Sequence, residues 1–113
     1  MRLGLPLLLL PLALSAGEWR EVWRDDFSGK ELDWTKWSVE ENGHGGGNNE
    51  LQYYFDRPQN LRVEDGHLII EARKEKVNVA GVQKDYSSAR IRTKRRADWL
   101  YGRFEMSAQL PAG

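Results

Sequence analysis

The strongest constraint on the fold is a period of two. In four separate stretches the chain alternates apolar and polar side chains. "NLRVED" sets Leu61 and Val63 on one side, and "GHLIIEARKE", after a turn at Asp65-Gly66, carries Leu68, Ile70 and Ala72 in step. "SSARIRTK" alternates Ala89, Ile91 and Thr93 against Ser88, Arg90 and Arg92. "YGRFEMSAQL" alternates Phe104, Met106, Ala108 and Leu110 against Arg103, Glu105, Ser107 and Gln109. Successive strand residues point to opposite sides of a sheet, so each stretch offers one face to bury and one to wet. That is the signature of antiparallel sheet. Two such runs joined through "EDG" predict a hairpin. No window sustains a helical period, and Asp33 to Trp37 is expected to form a single helical turn capped by Asp33. These runs predict one all-β piece, a sandwich or jelly roll. Trp19, Trp23, Phe27 and Phe104 are expected in its core.

Composition narrows the chemistry. The 113 residues are 30% charged and 40% hydrophobic, a globular balance. Formal net charge is zero, so no general field steers the chain to nucleic acid or to an acidic membrane surface. The chain has no cysteine, which excludes a disulfide framework, a thiolate metal site and a thiol nucleophile. Its two histidines, His44 and His67, are far apart, which argues against a histidine-based zinc site. At the N-terminus, Arg2 precedes the apolar run "LGLPLLLLPLALS", and small residues follow at Ala13, Ser15, Ala16 and Gly17. This reads as a secretory signal peptide over residues 1–16, too short to span a bilayer and interrupted by two prolines. Residues 17–113 are then expected as the exported domain, with no membrane contact after cleavage. The last strand pattern runs into Pro111-Ala112-Gly113 with no further strand to pair with, so the domain is expected to be incomplete at that end.

Several sharp motif readings fail on their spacing. "GHGGGN" lacks both the G-x-G-x-x-G order and the lysine of a phosphate loop. A helix-loop-helix calcium loop around Gly66 would put Leu61, Val63 and Ala72 at ligand positions. "RIRTKRR", residues 90–96, is basic, but acidic pairs at Asp25-Asp26 and Glu40-Glu41 offset it, and arginines on a sheet edge also deter strand addition. No G-x-S-x-G elbow is present. Retaining glycoside hydrolysis needs two carboxyls about 5–5.5 Å apart. A single strand would mount them as E-x-D-x-E, or as E-x-D-x-x-E with a bulge. None of the acidic residues here has that spacing, so no catalytic residue is assigned in this chain.

"VWRDDFSGKELDWTKWSVE", "GHGGGNNELQYY", "NLRVEDGHLIIEARKE", "SSARIRTK" and "YGRFEMSAQLPAG" together resemble, in order and spacing, the N-terminal half of glycoside hydrolase family 16. The laminarinase-like endo-1,3-β-glucanases are nearest in flavour. The resemblance implies a β-jelly-roll sandwich of the concanavalin A-like lectin/glucanase type with a glycan cleft. It implies a retaining hydrolase of β-1,3 or mixed β-1,3/1,4 glucans, a monomer when full length, with its catalytic glutamates beyond Gly113. By the same resemblance Asn48 and Arg90 contact sugar in the cleft, and Glu50 stands beside the asparagine pair to orient it. No cofactor is needed for the chemistry. A structural calcium is implied, held partly by Asp26 and by the backbone at Gly66. One departure stands out: many laminarinase-like members have Trp where this chain has Gly46, which removes a stacking platform. A non-catalytic glycan-binding jelly roll and an inactive fragment are the competing readings.

Overall fold

The computed structural model describes residues 17–113, and the expected signal peptide over residues 1–16 lies outside them. Contacts divide the described residues into two units, one running from Arg24 to Gly102 and the other holding residues 17–23 together with Arg103–Gly113. The larger unit holds seven strands: β1 Ser38–Glu40, β2 Gln52–Tyr54, β3 Leu61–Glu64, β4 His67–Ile70, β5 Arg73–Val79, β6 Val82–Ser88 and β7 Arg90–Arg92. A 3-10 turn spans Gly45–Gly47. Among the described residues no helix is long and apolar enough to cross a membrane.

The strands form three small sheets, β1-β7, β2-β6-β5 and β3-β4. The hairpin expected at "EDG" is present, with Glu64 paired to His67 across a two-residue loop. Asp65 (φ 51°) and Gly66 (φ 75°) both lie in the left-handed region, the requirement of a type I′ turn. A second hairpin joins β5 to β6 through Ala80 (φ 50°) and Gly81 (φ 87°). The run read as one strand from Gly66 to Glu75 breaks at Glu71-Ala72, so β4 and β5 belong to different sheets. "SSARIRTK" breaks likewise at Ala89, between β6 and β7. The Asp33 turn forms as expected. The Trp37 N–H donates to the Asp33 carbonyl at 3.1 Å, and the Asp33 carboxylate accepts from the Thr35 N–H at 2.9 Å.

Core packing follows the alternation. Leu32, Leu61, Val63 and Ala89 are buried, with Phe27, Trp37, Val39, Leu68 and Ile91 packed against them. Val39 and Ile91 are directly paired across β1 and β7, so their neighbours Glu40, Arg90 and Arg92 stand on the opposite, polar face. A second, polar core ties two sheets together. Asn60 and Ser87 are fully buried. The Asn60 amide donates to the Glu71 carbonyl at 3.0 Å and to Ser87 Oγ at 2.9 Å, and accepts from Arg57 Nε at 2.6 Å. Ser87 Oγ in turn donates to Glu75 at 2.5 Å and accepts from Arg57 at 3.1 Å, which uses all its hydrogen-bonding capacity. That hydroxyl, backed by Arg57, holds the Glu75 carboxyl below the usual carboxylate range despite its partial burial.

Two expectations from the sequence are corrected. "YGRFEMSAQL" forms no strand. Its alternation supplies two faces, but among the described residues no neighbouring strand supplies the ladder of hydrogen bonds that an extended segment needs. Trp19 (64% exposed) and Phe104 (74% exposed) are therefore not core residues. Phe27, also expected in the core, is half-buried and packs against it, its ring 6.2 Å from that of Trp37. Trp37 also donates through Nε1 to Asp25 at 2.6 Å.

Candidate functional site

The site grows out of the glycine loop. Gly45, Gly46 and Gly47 all have positive φ, and a Cβ on two of them would meet the segment that follows. At Gly46 it would fall 1.9 Å from Glu50 Oε1, and at Gly45 3.3 Å from the Glu50 N–H nitrogen. The turn closes when the N–H groups of Asn48 and Glu50 both donate to the Gly45 carbonyl, at 2.9 and 3.2 Å. Close approach of backbone to the Glu50 carboxylate is thus the physical reason for glycine here. Asn48 ends this turn, exposed on the loop.

From Glu50 the chain becomes extended, and the strand period places Glu50, Gln52 and Tyr54 on one face. Their side chains close a triangle. Gln52 Nε2 donates to Glu50 Oε2 at 2.9 Å and to Tyr54 Oη at 2.7 Å, while Tyr54 Oη donates to Glu50 Oε2 at 2.8 Å. The Tyr54 and Gln52 donors hold the Glu50 carboxyl below the usual carboxylate range, so it is an ionised acceptor at neutral pH. Burial, and then the hydrogen bond to Glu50, push the Tyr54 phenol up, which keeps it a donor. Lys84 Nζ fixes the backbone beneath by donating to the Glu50 carbonyl at 3.0 Å.

Arg90 completes the group from β7. Its guanidinium carbon is 6.0 Å from the Tyr54 ring centroid, and NH1 would lie 3.8 Å from a Cβ at Gly46. Its Nε is 3.1 Å from Glu40 Oε2 on β1, and Arg92 pairs with the other oxygen of the same carboxylate. β2 and β6 run parallel with Gln52 beside Tyr86 and Tyr54 beside Ser88. Leu51, Gln52, Tyr54, Tyr86, Ser88 and Arg90 line a shallow groove of about 580 Å³. Planar amide, phenol, carboxylate and guanidinium groups along an open groove suit a ligand rich in hydroxyls.

Of the residues singled out in the sequence, Glu50 and Arg90 converge on Gly46, and Asn48 lies on the loop that carries it. The Glu50 carboxylate turns to Gln52 and Tyr54. Gln52, Tyr54 and Glu40 were not singled out. Counting by two from Glu50 finds the first pair, whereas Glu40 meets Arg90 only through the β1–β7 register. Asp26 and Gly66 take no part in this group. Asp26 accepts from Arg24 Nε at 2.8 Å, in an acidic loop where Asp25 and Asp33 are likewise engaged by their own segment. Gly66 occupies the exposed β3–β4 turn. Among the described residues no group of three or more acidic, histidine or cysteine side chains could hold a metal ion.

No family model matches the chain. It is 48% identical over 100 residues to a beta-glucanase of Rhodothermus marinus, a match covering 87% of this chain and 34% of the relative. It is 46% identical over 110 residues to a glucan endo-1,3-beta-glucosidase of Cryptopygus antarcticus, covering 96% of this chain and 40% of the relative. The structure superposes on the laminarinase of Rhodothermus marinus with a TM-score of 0.66 and 45% identity, over 74% of this chain and 33% of that one. The chain thus spans about a third to two fifths of the length of these relatives. Over that part the chain's homologues and structural neighbours are laminarinase-like endo-1,3-β-glucanases of glycoside hydrolase family 16, and it shares their all-β jelly-roll fold.

Proposed function

We propose that this chain supplies part of the glycan-binding cleft of a secreted endo-acting hydrolase of β-1,3 or mixed β-1,3/1,4 glucans. One observation carries the reading: the Glu50–Gln52–Tyr54 triangle and Arg90 meet at the Gly46 loop, in a chain 46–48% identical to proteins described as glucan hydrolases. The ionised Glu50 and the planar Gln52 and Arg90 groups would bond sugar hydroxyls, and Tyr54 and Tyr86 would offer ring faces to the apolar side of a sugar. Asn48 would add an amide from the rim. The retaining pair of carboxylates belongs, in this reading, to a strand beyond Gly113, after a Trp-Pro segment. Export through residues 1–16, a monomeric full-length state and a structural calcium drawing on Asp26 and the Gly66 carbonyl are further parts of the proposal. EDTA lowering the Tm of the full-length protein, with calcium restoring it, would support the last of these.

Laminarin in an affinity gel tests the binding function. The chain is expected to be retarded, and Arg90→Ala to weaken retention about ten- to hundredfold, the loss of a charge-assisted hydrogen bond. Release of reducing ends by a protein extended past Gly113 tests hydrolysis. Retention without sugar release would favour a non-catalytic glycan-binding jelly roll. No retention of the wild type would sink both readings.

A further inference from the structure

We infer that Glu40 is the positioning residue that aims Arg90 into the groove, an inference that rests on the glycan reading above. Glu40 and Arg90 are direct antiparallel partners at the end of β1 and the start of β7. The adjacent pair, Val39 and Ile91, turns into the core, so the register cannot slip without burying charge. Glu40 has only 16% of its side chain exposed, whereas Arg90 has 52%. An exposed arginine is ordinarily free to sample many rotamers, and holding it has an entropic cost. A largely buried carboxylate beside its Nε edge removes that freedom in advance. The guanidinium is a planar fork, so occupying the Nε edge leaves the terminal nitrogens to point elsewhere. Here NH1 lies on the Gly46 side, and the fork stands over the Tyr54 ring.

The charges in the cluster agree with this role. Glu40 takes Arg92 on its second oxygen, so its carboxylate is shared between two cations of one strand. Glu50 lies on the far side of Arg90, near enough for the guanidinium to help keep that carboxyl ionised. Without Glu40, Arg90 would be drawn wholly to Glu50 and would neutralise the acceptor next to the groove. Glu40 therefore keeps donor and acceptor apart, and both remain available to hydroxyls.

The test pairs an affinity with a spectroscopic reading on the 113-residue chain. Glu40→Gln keeps the shape and removes the charge. We expect about tenfold weaker binding to a soluble β-1,3-glucan oligosaccharide, equal to one charge-assisted hydrogen bond. The Arg90 Nε–H resonance should move and exchange faster with water. Glu40→Asp, which keeps the charge, should recover part of both effects and covers the case in which Glu40→Gln does not fold. In an Arg90→Ala background Glu40→Gln should cost no further affinity. An unmoved Arg90 resonance, unchanged affinity, or an equal loss in the Arg90→Ala background would overturn the inference. A wild type that binds no glucan would instead remove the glycan reading, and the Arg90 resonance alone would then decide whether Glu40 holds Arg90.

Discussion

Gly46 is where backbone chemistry and recognition meet. It has a φ of 55°, and a Cβ there would sit 1.9 Å from Glu50 Oε1. Gly46→Ala is therefore expected to destabilise the chain by about 1–3 kcal/mol, through left-handed strain and displacement of the carboxylate. A urea titration checks the stability, and the lost Tyr54–Glu50 bond would appear in the Tyr54 hydroxyl resonance. The same geometry bears on the departure noted in the sequence. A tryptophan at this position would require Glu50 to move, so this chain offers an ionised acceptor where many laminarinase-like members offer a ring. Glu50 also sets a pH dependence. Its folded pKa is depressed by Tyr54 and Gln52. Its contribution to stability is then present above the unfolded carboxylate value of about 4.3 and is lost as pH falls through the lower folded value. Tyr54→Phe should flatten that acid limb of the stability profile. The Asn48, Glu50 and Arg90 set was legible because sequence order preserves a motif. Glu40 was not legible, since nothing local in "SVEE" says which strand it will face.

At the scale of elements, the two hairpins differ in an instructive way. Asp65-Gly66 is a favoured pair for a type I′ turn, and the hairpin was expected from it. Ala80-Gly81 adopts the same backbone signs with an alanine at φ 50°, and nothing in its chemistry announces a turn. Ala80→Asn is expected to raise stability by about 0.5–1 kcal/mol, because Asn tolerates the left-handed region. A rise in thermal midpoint is the check. The opposite outcome is expected for Asn60→Ala, which strands the Glu71 carbonyl and leaves Arg57 and Ser87 short of partners. Each buried unsatisfied group costs about 1–3 kcal/mol, so a loss of several kcal/mol, or no cooperative unfolding, should follow in a denaturant titration. The break between β4 and β5 at Glu71 was hidden for the same reason. Period two continues through it, and only the capture of the Glu71 carbonyl and N–H by Asn60 shows where one sheet ends.

For the molecule, what matters is how little apolar surface is buried. Four apolar residues are buried in the larger unit, while its Leu51, Ile70, Val82, Leu100 and Tyr101 are exposed, and in the other unit Trp19, Phe104, Met106 and Leu110 are exposed. Surface of this kind drives association. The chain is expected to bind a hydrophobic dye and to self-associate at high concentration, and a monomer that leaves the dye dark at every concentration would contradict this. The sequence by itself determined the all-β class, the buried faces around Leu61 and Val63 and around Ala89 and Ile91, and the first hairpin. Those follow from local rules: the period of side chains along a strand and the φ signs a turn demands. Only the tertiary structure decided which runs find a partner. It left "YGRFEMSAQL" without a ladder despite its clean alternation, and it set β2 parallel to β6. It also brought Glu40 across from Arg90, 50 positions further along the chain, as the β1–β7 register pairs them. Strand pairing is a contact between distant segments, and its energy depends on neighbours that no local stretch of sequence contains.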